Sequence, residues 1–164
     1  MIHTYNWLAA QEWAKAHGVE QRVCGVLQAA GLYPETKKFT LVDHPRFDEF
    51  DGTCDIYIRG MGIEVKGRNN VFDSDGSYKY KTIFIDGVRG YDLKKPRPVA
   101  VIIVCQKTYH MIAVPTKADH LWSKVPNKDR RGASEQHLVY EAPSDQCRPM
   151  DSLIDFFYGK NELF

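Results

Sequence analysis

Apolar residues recur at three- and four-residue steps near the start of the chain and at two-residue steps beyond it, a change of period from helix to strand. Trp7, Leu8, Ala10, Trp13 and Ala14 give a helical stripe over residues 5–17 that stops at Gly18. Val19, Val23, Val26, Leu27 and Ala30 give a second, with Gly31 where a helix C-cap glycine belongs. Short β-prone runs follow at Lys38 to Val42, Cys54 to Arg59, Gly62 to Gly67, Thr82 to Ile85, Val99 to Cys105 and Tyr109 to Val114. Pro96 and Pro98 bar a helix just ahead of the fifth run, and the polar break Gln106 to Thr108 predicts a hairpin. The pattern then predicts a short helix around Lys117 to Lys124, a polar loop from Pro126 to Ser134 and a short strand near Leu138 to Glu141. A terminal helix opened by Pro149 is seated on the sheet by Leu153, Ile154, Phe156 and Phe157.

No repeat, low-complexity tract or linker breaks this order, so the expectation is one α/β or α+β domain across residues 1–164 with a central mixed sheet. A chain of 164 residues can bury a core large enough to need no staple. Its 43% hydrophobic and 26% charged residues are ordinary globular usage, far from disordered or membrane classes. The longest apolar run, Val99 to Cys105, is too short to span a bilayer, and the N-terminus lacks a signal-peptide pattern. The expected location is the cytoplasm, with no membrane partner. Cys24, Cys54, Cys105 and Cys147 show no metal-ligand spacing, which favours buried or free thiols over zinc or disulfides.

The net charge of +1 exerts no global pull on nucleic acid, so any affinity for phosphate must come from uneven distribution. Asp43, Asp48, Glu49, Asp51 and Asp55 crowd one segment, and Lys79, Lys81, Arg89, Lys94, Lys95 and Arg97 a later one. Lys124, Lys128, Arg130 and Arg131 lie beyond. Solvated loops account for any one of these charges taken singly.

The chemistry concentrates between Asp55 and Lys66, two strand-like runs joined by a glycine-bearing turn. A turn centred on Gly60 and Met61 pairs Tyr57 with Glu64 and Asp55 with Lys66, so the three ionisable residues share a face. Glu64 and Lys66 then stand about 6.5 Å apart along their strand, with Asp55 roughly 7 to 8 Å from Glu64 on the diagonal. Two converging carboxylates supply hard oxygen ligands for Mg²⁺, and an adjacent ammonium neutralises charge that develops during attack on a phosphodiester. Ile56, Ile58, Ile63 and Val65 form the opposite, core face, and a plain solvated strand face accounts for the same alternation.

Other motifs lead nowhere. Counted from Asp73, the sixth and twelfth residues of an EF-hand loop fall on Tyr78 and Phe84, so Asp73 to Tyr78 reads as a turn. The histidines form no close pair, no GxxxxGK precedes Lys66, and no serine sits in a Gly-x-Ser-x-Gly frame.

The order of helix, Asp55, Ile63-Glu64-Val65-Lys66 and downstream strands resembles the PD-(D/E)xK nuclease superfamily. That superfamily's restriction-endonuclease-like core is a helix, a hairpin carrying Asp and (Glu/Asp)-x-Lys, then a helix and a further strand. Gly18-Val-Glu20-Gln-Arg22-Val with Leu27, Gly31 and Leu32 is similar to the first helix of archaeal-type Holliday junction resolvases. The resemblance covers roughly residues 18 to 114, flanked by an N-terminal helix over 1–17 and a C-terminal extension over 115–164. It implies a Mg²⁺- or Mn²⁺-dependent endonuclease acting on DNA. Asp55, Glu64 and Lys66 would be catalytic, Glu20 a further carboxylate, and the metal held at Asp55, Glu64, Val65 and Glu20. Arg68, Arg89, Tyr91, Lys94, Lys95, Arg130 and Arg131 are the implied DNA contacts. Resolvase-like enzymes are commonly dimers, which makes a homodimer a candidate assembly; Trp7 and Trp13 suit either that contact or core packing. The rival reading keeps the scaffold without turnover, as a nucleic-acid-binding or inhibitory protein.

Overall fold

The computed structural model of the chain describes residues 18–36, 53–128 and 136–164. The expected helix over 5–17, the run Lys38 to Val42, the acidic residues Asp43 to Asp51 and the basic pair Arg130 and Arg131 lie outside them. The described residues form a mixed α/β structure with few helices and two sheets.

Helix α1 covers residues 18–29 and ends on Gly31, whose φ is 85°. The Leu32 amide donates to the Leu27 carbonyl and the Gly31 amide to that of Gln28, the paired bonds of a Schellman cap. Strands β1 (Glu35–Thr36), β2 (Ile56–Ile58), β3 (Met61–Arg68), β5 (Ala100–Cys105), β6 (Met111–Pro115) and β9 (Arg148–Pro149) make a six-stranded sheet in the order β1-β2-β3-β5-β6-β9. Strands β4 (Thr82–Gly87), β7 (Ser123–Lys128) and β8 (Gln136–Pro143) make a second, in the order β4-β8-β7. Helices α2 (Val88–Asp92) and α3 (Met150–Phe157) complete the elements, with 3-10 turns at Asp119–Leu121 and Ser144–Gln146.

Among the described strands only β3 and β5 pair in parallel, and a parallel pair needs a crossover, here the segment that carries β4 and α2. Strand β5 is buried at every position, as its unbroken apolar run requires. One face of the large sheet packs Ile56, Ile58, Ile63, Val65 and Ile102 against Val19, Val23 and Leu27 of α1 and Leu153 and Phe157 of α3. The other face sets Val101, Ile103, Ile112 and Val114 against Ile83, Ile85, Tyr91, Trp122 and Ala142. The side of β3 that alternation assigns to solvent is therefore covered by a second layer.

Two expectations fail here. The helix over Lys117 to Lys124 is only a 3-10 turn, after which Ser123 to Lys128 extends as β7. Leu121 stays 61% exposed, so no apolar stripe holds a longer helix, and Pro126 is tolerated because β7 is the sheet's outer strand. Pro126 to Lys128, expected as the start of a loop, are strand, and the rest of that expected loop to residue 134 lies outside the described residues. All four cysteines are free, as their spacing implies, and Asp73 to Tyr78 is a turn closed by the Ser77 amide on Asp75 Oδ1.

Candidate metal centre

The β2–β3 hairpin turns through Arg59 and Gly60, with φ of 51° and 78°. Two consecutive left-handed residues make the tight turn whose twist matches paired strands, and glycine takes one of them without steric penalty. The Arg59 guanidinium anchors the other by donating to the Phe157 carbonyl at 2.6 Å. Ile56 consequently pairs with Ile63 and Tyr57 with Gly62, two residues out of the expected register. A slip of two preserves the faces and brings Asp55 opposite Glu64 instead of Lys66. Gly62 is needed at this crossing: a Cβ there would lie 2.9 Å from the Cys54 Cβ.

Beyond Ile56 the two strands part. The Val65 amide, with no strand partner on that side among the described residues, donates to Asp55 Oδ2 at 2.8 Å. The side chain of Val65 is 5% exposed in the apolar core, so only its main chain is available to a ligand. A strand residue's N–H and C=O point the same way, which directs the Val65 carbonyl toward Asp55 as well.

Glu64 is 2% exposed. Its Oε1 receives the Lys66 ammonium at 2.9 Å and lies 3.3 Å from that of Lys94, while Oε2 has no hydrogen-bond partner among the described residues. Lys66 also lies 3.2 Å from Asp86 Oδ2, a charge contact without hydrogen-bond alignment. Burial disfavours the Lys66 ammonium, yet the charges of Glu64, Asp86 and Asp55 outweigh it and raise its pKa above the ordinary lysine value. Lys66 is therefore a fixed cation and not a proton acceptor near neutral pH.

Glu20 reaches this cluster from α1 and is only 7% exposed. Burial, then the negative charges of Asp55 and Glu64, push its carboxyl up to about 8. Asp55 is raised to about 7, by burial first and Glu64 second, against the pull of Lys66, the Val65 amide and Lys94. Both shifts record carboxylates held together at a cost that a cation would offset. Burial also pushes the neighbouring Cys54 thiol up to about 12, which leaves it protonated and poor as a nucleophile.

The structure thus gathers Glu20, Asp55, Glu64 and Lys66 and adds two members. Asp86 arrives on β4, where the pairing with β8 shifts register between Phe84 and Asp86. Lys94 is placed just after α2, its amide bonded to the Tyr91 carbonyl and its ammonium 2.7 Å from the Thr53 carbonyl. Lys94 therefore belongs to the carboxylate cluster rather than to an outlying groove. No local sequence signal marks Asp86, because only the pairing of β4 with β8, far along the chain, fixes it.

The implied DNA contacts divide. Arg89 and Lys95 are exposed. Arg68 leaves β3 next to the cluster, but its guanidinium donates to the Ile85 and Gly67 carbonyls and covers the Phe84 ring at 4.3 Å. Burial lowers its pKa to about 10, against the raising effect of Asp86 and Tyr78. Tyr91 does not line a groove: it is 4% exposed, donates to Asp119 Oδ2 and packs among Trp122 and Tyr140.

Among the described residues no three metal-ligating side chains stand ready-made around one point. Glu64 is turned toward its lysines and Asp55 toward the Val65 amide. The donors nevertheless suit a hard divalent cation: all are oxygens, Glu64 Oε2 is buried and unpartnered, and the neighbouring carboxylates repel one another. No helix among the described residues is long and apolar enough to cross a membrane. No protein-family model matches the chain, and no curated protein or solved structure matches it either.

Proposed function

We propose that the chain is a Mg²⁺- or Mn²⁺-dependent nuclease that hydrolyses phosphodiester bonds in DNA on a restriction-endonuclease-like core. The observation that carries this reading is the convergence of Glu20, Asp55, Glu64 and Lys66, from a helix and a splayed hairpin, into a cluster whose glutamates are buried and whose Asp55 and Lys66 are half-buried. Such a group lowers stability and calls for a functional reason. The element order α1, β2–β3 hairpin, α2 and β5 beside β3 supports the same core.

Asp55, Glu64, Glu20 and the Val65 carbonyl are the groups that would hold the cation, which polarises the phosphodiester and lowers the pKa of a bound water. Lys66, kept charged by Glu64 and Asp86, neutralises negative charge as it builds on the phosphate. Lys94 balances Glu64 and keeps the carboxylates together before a cation enters. Arg89 and Lys95, exposed beyond this centre, offer contacts to the phosphate backbone.

The double ion pair on Glu64 favours one rival, a protein that binds nucleic acid through its basic residues while the two lysines replace the metal. Incubation with linear, nicked, single-stranded and branched DNA and with RNA, in Mg²⁺, Mn²⁺ or EDTA, separates the two. The nuclease reading expects metal-dependent cleavage that Glu64→Ala and Lys66→Ala abolish. Absence of cleavage on every substrate, or full activity in both variants, sinks it.

A further inference from the structure

Past Val65 no strand among the described residues pairs with the outer edge of β3, and an open groove of about 640 Å³ lies between that end of the sheet and α1. Its walls are Gly18, Gln21 and Arg22 of α1, Asn69 just beyond β3, and Gln106 and Tyr109 of the β5–β6 turn. Gln21 and Arg22 directly follow Glu20, and Asn69 lies three residues beyond Lys66, about 10 Å along the strand. The groove is therefore a neighbour of the carboxylate centre.

Its chemistry is distinctive. The Arg22 guanidinium covers the Tyr109 ring at 3.4 Å from the centroid. Tyr109 is 41% exposed and has a φ of 61°, a backbone conformation that bulky residues rarely adopt. Its amide closes the turn on the Cys105 carbonyl, which fixes the backbone that carries the ring. Around the stacked pair stand three carboxamides, Gln21, Asn69 and Gln106, which offer donors and acceptors without fixed charge.

We infer that this groove takes an unpaired nucleotide of the strand being cut, its base layered on the Tyr109–Arg22 stack and its edges met by the carboxamides. A base inside a duplex already has both faces stacked, whereas an unpaired base has a free face for an aromatic platform. The inference rests on the nuclease reading and narrows its substrate to single-stranded DNA, or branched DNA with an unpaired segment beside the scissile bond.

Fluorescence anisotropy in EDTA tests it with a short labelled oligothymidine and a blunt duplex of equal length. The full chain is expected to bind the single strand at least about ten-fold more tightly than the duplex. Tyr109→Trp keeps this binding. Tyr109→Gly weakens it by roughly 5- to 150-fold, the loss of one base–aromatic stack. The same variant does not lower the thermal midpoint, because glycine relieves the left-handed backbone. Equal or tighter duplex binding, no binding of the single strand, or unchanged affinity in Tyr109→Gly overturns the inference. Because no metal is present, single-strand binding that depends on Tyr109, without cleavage of any substrate, defeats the nuclease reading and leaves the groove standing. Cleavage with Tyr109-independent binding does the reverse.

Discussion

On one face of the six-stranded sheet, Ile63 and Val65 of β3 meet α1 and α3 through carbon alone; on the other, Glu64, Lys66 and Arg68 of the same strand enter a layer closed by β4. Alternate residues of one strand thus do opposite work. The first face supplies stability, since each buried aliphatic side chain contributes about 1.5–3 kcal/mol on leaving water. The second holds Glu64, Lys66, Asp86 and Lys94 in a half-dry cluster that an apolar replacement of equal volume would match or better in stability. Folding does not require charge there, whereas the proposed metal chemistry does.

Neighbouring substitutions break that comparison most sharply. Glu64→Gln keeps the shape of the side chain and removes its charge, and is expected to lower metal-dependent cleavage by about 10²–10³-fold or more while far-ultraviolet circular dichroism is unchanged. Ile63→Ala, one residue away, is expected to lose about 2–5 kcal/mol in urea unfolding, with cleavage by the folded fraction altered only a few-fold. Activity loss at Ile63 matching that at Glu64 would show that the faces are not divided in this way.

A smaller effect sharpens the account of the charged face. Glu20 holds its proton up to about pH 8 in the folded chain, against an ordinary carboxyl value of 4.5. The folded state therefore binds the extra proton, and that contribution is complete below pH 4.5 and lost as pH rises through 8. Metal-free protein should accordingly lose thermal stability across that window. Glu20→Gln should flatten the curve and gain on the order of 1–3 kcal/mol at pH 8. A Glu20→Gln midpoint that tracks wild type at every pH contradicts the burial of a strained carboxyl.

Much of this was legible in the sequence, and what was not has physical causes. Alternation placed Ile56, Ile58, Ile63 and Val65 on the core side, and the stripe from Val19 to Ala30 predicted α1, of which Val19, Val23 and Leu27 pack against them while Val26 stays exposed. The hairpin register did not follow, because Arg59 takes a left-handed conformation that its residue type does not announce and that the Phe157 carbonyl holds. Asp86 and Lys94 were hidden as site members for a different reason: both reach Glu64 and Lys66 through the crossover between the parallel strands, and no local period reports on such contacts. The second sheet was missed where Pro126 and the polar residues around it read as loop, although an outer strand accommodates both.

Calorimetric titration of the metal-free chain with Mn²⁺ at pH 8, beside Glu64→Ala, addresses the central claim most directly. Saturable binding by the wild type that is lost in the variant, with the fold of both intact by circular dichroism, is the expected result. No Mn²⁺ binding by the wild type, or equal binding by Glu64→Ala, would contradict it.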